Sequence, residues 1–274
     1  NPDPAERNAL RGFRRMPSEN DMFYGIVQRG LDFWDASFFC GSAAVLRRSQ
    51  IEASGGFAGE SVTEDAETSL QLHAQGYHSV FVDEPLVTGL APESFQSFIQ
   101  QRLRWSQGMT QILLLKRPYR MPGLSWHQRL GYLSAITFWL FPFARILFLI
   151  MPLAYLVFGL QIYDASLVEI LAYTAPHVFS TFLVADILHG RTRWPLVSEL
   201  YELLQCLFTV RAVIGVFRNP RSPSFGVTPK GENIEERARS PLAYVFYPLF
   251  LALLAGLAAG VFRWVDDPLT RDLT

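Results

Sequence analysis

Thr63-Glu64-Asp65 sets two carboxylates directly behind a residue able to start a helix. Locally this is an N-terminal helix signature, because acidic side chains in a first turn are favoured by the helix dipole. The placement also suits chemistry, since an aspartate held at a strand-to-helix turn is a fixed base for a hydroxyl nucleophile. Further along, Gln101-Arg102-Leu103-Arg104-Trp105 puts Gln101, Arg104 and Trp105 at three- and four-residue spacing, on one face of a helix. Arginine offers a planar fork of donors to a diphosphate, tryptophan a flat apolar face to a sugar ring, and glutamine hydrogen bonds to hydroxyls. The plainer reading of the same helix is a core tryptophan beside a solvated arginine. Phe38-Phe39-Cys40-Gly41-Ser42 reads as a buried strand whose glycine permits close backbone approach. A last cluster, Phe225-Gly226-Val227-Thr228-Pro229-Lys230-Gly231, lies in a loop rich in proline and glycine.

Positioning these groups requires a scaffold, and the sequence supplies two kinds. Residues 36–45 suggest a strand, followed by a short helix that turns at Gly55-Gly56. A helix begins at Thr63, which can cap it, and stops at Gly76; residues 79–82 read as another strand. Strand, helix, strand is the pattern of the second half of an open α/β sheet. Residues 92–116 are helical by the recurrence of Phe95, Phe98, Ile99, Leu103, Trp105, Met109 and Ile112, and Pro118 and Pro122 end that helix. The expected fold class is therefore α/β over residues 1–120, followed by α-helical transmembrane and interfacial helices over 121–274.

Composition points the same way. Half of the 274 residues are hydrophobic and only 18% are charged, with 22 Phe, which leans toward membrane contact. The apolar run over 131–160 would extend about 45 Å as a helix, longer than a hydrocarbon core of about 30 Å. Residues 126–141 are thus expected at the interface and 141–160 across the membrane. Further spans are expected at 167–188 and at 241–262, the cleanest of the three. Residues 196–217 mix Glu199, Glu202 and Arg211 with apolar neighbours and read as an amphipathic interfacial helix, leading into a polar loop at 218–239. A net charge of -1 gives no basis for nucleic-acid binding. Cys40 and Cys206 alone make neither a disulfide framework nor a zinc site. The polar start without Met looks like a cut end of a longer chain.

Taken in order, FFCGS, TED, QRLRW, apolar helices and FGVTPKG resemble the family 2 processive glycosyltransferases, and most closely bacterial cellulose synthase catalytic subunits. TED with QxxRW indicates processive members generally, including chitin and hyaluronan synthases, whereas FxVTxKG narrows the resemblance to the cellulose synthase group. The resemblance implies a partial GT-A-like glycosyltransferase fold. It implies transfer of glucose from UDP-glucose to the non-reducing end of a β-1,4-glucan, with inversion and with translocation of the polymer through the membrane. Chitin-, hyaluronan- or other β-glucan synthesis, and a non-catalytic membrane channel or scaffold, are the alternatives.

Carried over by motif, the resemblance makes Asp65 the general base, positioned by Glu64 and Thr63. Gln101, Arg104 and Trp105 would form the acceptor face, Arg104 near the donor pyrophosphate and Trp105 beneath the terminal glucose. Cys40, Gly41 and Ser42 would line the acceptor entrance. Phe225, Val227, Thr228 and Lys230 would belong to a mobile gating loop within residues 218–239, a role their Pro and Gly neighbours make physically sensible. A divalent ion, Mg²⁺, is implied on the diphosphate, with its aspartate ligands expected upstream of FFCGS and none among these residues; the chain by itself is therefore expected to be inactive. The resemblance further implies c-di-GMP as an activator through a downstream PilZ domain absent from this sequence. It also implies a periplasmic, membrane-anchored accessory subunit, contact with membrane lipid, and residence in the bacterial inner membrane with the catalytic face cytoplasmic.

Overall fold

The computed structural model describes residues 20–41, 43–84, 86–87, 89–90, 92, 94–160, 165–190, 192, 194–223 and 240–266. A π-helical turn at Phe23–Val27 runs into α1 (Gln28–Phe33), followed by α2 (Arg48–Ala53) and α3 (Glu64–Ala74). Then comes α4 (Phe95–Gln111), prolonged by a second π-helical turn at Ile112–Lys116. A 3₁₀ turn at Phe138–Leu140 joins α5 (Trp126–Thr137) to α6 (Phe141–Phe158); α7 (Leu167–His189), α8 (Pro195–Arg218) and α9 (Phe246–Asp266) complete the order.

Serine caps set several of these starts. Ser94 accepts from the Ser97 N–H at 3.1 Å, and Ser125 from the Gln128 N–H at 3.2 Å while Gln128 reaches back to the Ser125 N–H. Gly159, at φ 68°, ends α6 in the left-handed conformation that side chains disfavour.

One core gathers α1, α3, α4 and α5. Leu31, Ala36, Ala66, Leu70, Met109, Ile112, Tyr132, Ile136 and Trp139 pack together, with Trp105 and Phe38 against them. Within it, the His73 imidazole meets the Tyr132 hydroxyl at 2.8 Å and the Ser79 hydroxyl at 3.0 Å. Burial pushes His73 down to about 4, so the ring is neutral and can serve both partners.

The strands expected over 36–45 and 79–82 do not form among the described residues, and the α/β sheet stands unconfirmed there. Gly41 and Ala43 take left-handed φ values that break the first segment, and a ladder at the second needs a neighbouring strand to take its N–H groups. At 79–82 side chains take them instead: the Asp32 carboxylate accepts the Phe81 N–H at 2.6 Å and Asp35 accepts the Ser79 N–H at 3.4 Å. Val80 and Val82 remain exposed.

Four helical stretches are long and apolar enough to cross a membrane: Trp126–Phe158, Val168–His189, Val197–Arg218 and Leu242–Arg263. The first is a single stretch of 33 residues, in which Tyr132 and Ile136 before the 3₁₀ turn and Trp139 within it are buried in the core, whereas Phe143, Leu147 and Phe148 after it are exposed. The third corresponds to the helix read as interfacial over 196–217. It qualifies as a span because Glu199 and Glu202 cluster near its start, leaving a long apolar remainder. It packs between α4 and α6, and Arg145 of α6 is bonded to Glu199 and, at 2.6 Å, to Glu202. Helix α9 packs on α6, where Arg263 donates to the Tyr155 carbonyl at 2.9 Å.

Candidate active site

The site forms where the start of α3 meets α4 and the turn after α1. Thr63 occupies the N-cap position of α3, and its carbonyl accepts the Glu67 N–H at 3.1 Å. Its hydroxyl does not cap the helix as the sequence suggested; it is buried without a hydrogen-bond partner among the described residues. Gly108 of α4 lies so close that a Cβ there would run into the Thr63 side chain. Glycine thus lets α4 approach the acidic turn.

Three further ties fix this turn. Val62 donates its N–H to Gln111 Oε1 at 2.9 Å, Ser61 donates its N–H to the buried Glu67 carboxylate at 2.7 Å, and the Ser61 hydroxyl donates to the Thr63 carbonyl at 3.2 Å. Lys116 bridges Glu67 and Glu60 at 2.9 Å each. Burial opposes the Lys116 charge, yet the bonds to Glu60 and Glu67 outweigh it and raise its pKa. A buried glutamate paired and hydrogen-bonded in this way is tolerated as a charged group.

Asp65 is half-buried. Its Oδ1 accepts the Ala66 N–H at 2.8 Å, and its Oδ2 lies 3.7 Å from where a Gly41 side chain would begin. Burial raises its pKa, the neighbouring Glu64 charge adds to the rise, and the Ala66 N–H and the Arg104 charge pull against it. The carboxylate is therefore made more basic while it stays half-buried beside Gly41, itself at φ 73° and exposed.

Of the residues singled out by sequence, Thr63, Glu64, Asp65, Cys40, Gly41 and Arg104 converge on this point. Gln101 and Trp105 are half-buried on the same α4, one turn apart. Trp105 packs edge-on to Trp139 with centroids 6.3 Å apart and rests against the core. Ser42, Phe225, Val227, Thr228 and Lys230 lie outside the described residues.

Three participants were missed. The Gln28 amide donates to Cys40 Sγ at 3.4 Å and to the Phe38 carbonyl at 2.8 Å. Tyr24 hydrogen-bonds Cys40; burial and then the nearby Cys40 push Tyr24 up to about 12, and burial and then Asp65 push the Cys40 thiol up to about 12. Cys40 is thus a neutral thiol and no nucleophile. Arg102, buried in α4, lays its guanidinium over Trp105 at 4.6 Å and Phe98 at 5.1 Å and donates to Asn20 at 3.0 Å. The four- and three-residue spacing of Phe98, Arg102 and Trp105 carried that signal. Tyr24 and Gln28 left none, because only folding brings them to Cys40.

No group of three or more His, Cys, Asp or Glu able to hold a metal ion occurs among the described residues, so these residues do not fit the implied divalent ion and no step is derived through it. What they can do is accept a proton at Asp65, beside a cation at Arg104 and a partly exposed indole at Trp105.

Comparison with known proteins gives this arrangement a context. The profile of "Glycosyl transferase family group 2" matches residues 8–185. Cellulose synthase 2 of Novacetimonas hansenii is 44% identical over 270 residues, covering 97% of this chain and 17% of that protein. Cellulose synthase 1 catalytic subunit [UDP-forming] of Komagataeibacter xylinus is 42% identical over 270 residues, covering 97% of this chain and 36% of that protein. The cellulose synthase catalytic subunit [UDP-forming] of Pseudomonas fluorescens (strain SBW25) is 40% identical over 268 residues, again covering 97% and 36%. The chain therefore spans well under half the length of these relatives.

Proposed function

The chain belongs to glycosyl transferase family group 2, and on that premise we propose that it is the base-bearing and membrane-embedded portion of a processive, inverting cellulose synthase. The donor is UDP-glucose and the product a β-1,4-glucan extended at its non-reducing end. The observation that carries the reading is the half-buried Asp65 carboxylate of raised pKa, set beside the Gly41 turn and within reach of the Arg104 charge. Similarity to UDP-forming cellulose synthase subunits supports the choice of donor and product.

In this reaction the terminal hydroxyl of the glucan gives its proton to Asp65 as its oxygen forms a bond to the anomeric carbon of the donor. The bond from that carbon to the UDP oxygen breaks, and UDP leaves with the electron pair. A base of raised pKa has more driving force for the transfer. Arg104 counters charge on the diphosphate, and Gln101 and Trp105 hold the acceptor sugar, the indole fixed in plane by Arg102. Glu64 keeps Asp65 basic by like charge. Phe225, Val227, Thr228 and Lys230 are assigned by motif to closure over the donor. A divalent ion on the diphosphate would take its ligands from residues other than those described.

We assign the spans to α6 with the turn above it, α7 and α9, and keep α8 as the interfacial helix. It lies along the site helix α4 and turns buried Gln205 and Thr209 inward. With two spans between Trp105 and Phe225, the acidic turn, α4 and the FGVTPKG segment share the cytoplasmic face of the inner membrane. Helix α7, with none of its span buried, offers its sides to lipid or to an accessory subunit.

The test uses the full-length protein in membranes with Mg²⁺ and radiolabelled UDP-glucose, with and without c-di-GMP. Insoluble product that a β-1,4-glucanase digests supports the reading; incorporation from UDP-GlcNAc instead of UDP-glucose overturns the sugar, and full activity of Asp65→Asn overturns the base.

A further inference from the structure

One buried side chain next to the base has no part in the proton transfer yet connects distant parts of the chain. Gln111, the last residue of α4 and 1% exposed, accepts the Val62 N–H at 2.9 Å and donates through Nε2 to the Pro220 carbonyl at 2.8 Å. The two partners fix the amide's orientation, because a carbonyl oxygen must meet the N–H and an NH₂ must meet the carbonyl. Val62 immediately precedes Thr63-Glu64-Asp65, and Pro220 lies just past the end of α8. A second observation joins the same two places. Lys116 bonds Glu60 and holds its carboxyl below the ordinary range, and Arg221, the residue after Pro220, adds its charge.

We propose that Gln111 is a positioning residue that couples the end of α8 to the turn carrying Asp65, so that the base is held in register with the helix that lies along α4. The proposal rests on the reading of Asp65 as the base. Gln111 touches no reacting atom; it acts by holding the backbone one residue before the Thr-Glu-Asp turn, and small displacements of a catalytic group are costly to rate. Losing the first arm leaves the buried Val62 N–H without its partner, and losing the second frees the partly buried Pro220 carbonyl from α4.

The test compares Gln111→Met and Gln111→Glu with the unaltered full-length protein in membranes. The two measurements are amide hydrogen exchange over residues 59–66 and UDP-glucose turnover resolved into kcat and KM. Methionine keeps the volume and removes both bonds, whereas a carboxylate still accepts the Val62 N–H but cannot donate to Pro220. With Gln111→Met, exchange at Val62 should quicken about tenfold and kcat should fall about tenfold, with KM within about twofold. With Gln111→Glu, Val62 should stay protected while kcat falls at least about threefold, which isolates the α8 arm. Unchanged exchange and kcat in Gln111→Met, or full kcat in Gln111→Glu, would overturn the coupling. Should the unaltered protein turn over no nucleotide sugar, the functional reading fails by itself. The coupling is then judged on exchange: faster exchange over both 59–66 and 219–223 in Gln111→Met supports it, and unchanged exchange there overturns it.

Discussion

The part of the molecule around α1 to α5 and the part around α6 to α9 are held together by different means. In the first, hydrogen bonds join residues far apart in sequence: Gln28 to Phe38, Gln111 to Val62, Gln128 to Asp35 and His73 to Tyr132. In the second, apolar faces pack, and the ties that join its helices run from charged side chains at particular points. Arg145 reaches Glu199 and Glu202, Arg263 reaches the Tyr155 carbonyl, and Gly256 and Gly260 let α9 approach Leu153 and Leu156 of α6. Apolar packing is non-directional and leaves position loosely specified, while a hydrogen bond fixes both distance and angle. Catalysis needs the second kind of restraint, and the acidic turn has it. Helices that meet lipid need chiefly small residues where they touch and neutralised charges where they carry any.

The sharpest division between the two regions should come from Asp65→Asn. The substitution keeps the shape and removes the base, so kcat should fall by about 10² to 10⁴ while the protein stays folded. Stability should not suffer. Burial raises the Asp65 pKa, so the charged form costs the folded state free energy at neutral pH, a cost relieved as pH falls through the raised value. Rate moves the opposite way, falling as pH falls through that value because the base is lost; thermal unfolding and a pH–rate profile of the full-length enzyme check both.

The next effect is on stability and belongs to the first region alone. His73 is depressed from 6.5 to about 4 in the folded protein. Its contribution is complete above pH 6.5 and disappears as pH falls toward about 4, where the unfolded chain has taken up a proton the folded one refuses. At about 1.4 kcal/mol per pH unit this amounts to about 3 kcal/mol, and denaturant melts followed by tryptophan fluorescence across that window should show it. His73→Gln should flatten the slope.

A smaller change tests whether the close approach of α4 matters. Gly108→Ala sets a methyl group against Thr63, and overpacking of this kind costs about 1–3 kcal/mol. Because the displaced residue is adjacent to Glu64-Asp65, kcat should fall roughly tenfold or more, beyond what the melting temperature explains. Wild-type kcat at a lowered melting temperature would put Gly108 on a par with a packing glycine in the second region.

What sequence could and could not read follows the same division. Periodicity located α3, α4 and the apolar helices, since each repeats every turn along its own segment. TED and QRLRW were legible as motifs because type and spacing are local, and the Arg104 charge does reach Asp65. Partnerships that cross the chain were not legible. Tyr24 and Gln28 reach Cys40 only through the fold, and Gln111 looks like any helical glutamine until Val62 and Pro220 arrive at its two ends. The segments at 36–45 and 79–82 had strand composition, yet left-handed turns at Gly41 and Ala43 break the first, and Asp32 and Asp35 take the N–H groups of Phe81 and Ser79 in the second. Thr63 had the right type for a cap, yet its hydroxyl makes no cap bond, and the glycine 45 positions away on which it packs is visible only in the fold.

The smallest effect lies in the second region and could undo the contrast. Arg145 sits between Glu199 and Glu202 with 26% of its side chain exposed, against 16% for Glu202 and 42% for Glu199. Arg145→Met removes the guanidinium from two carboxylates within the helical part of the molecule, where water screens them poorly. Breaking a fully buried pair costs about 3–5 kcal/mol, and partial exposure here reduces the expectation to about 1–2 kcal/mol. Arg145→Lys should recover part of that loss, because a point charge replaces the fork that now bonds Glu202 through two nitrogens. If α6 and α8 only anchor, melting temperature in detergent should fall while kcat for UDP-glucose stays within about twofold. A fall in kcat as large as that of Gly108→Ala would mean that the position of α8 is felt at Asp65, and the natural route for it is the Pro220 carbonyl held by Gln111.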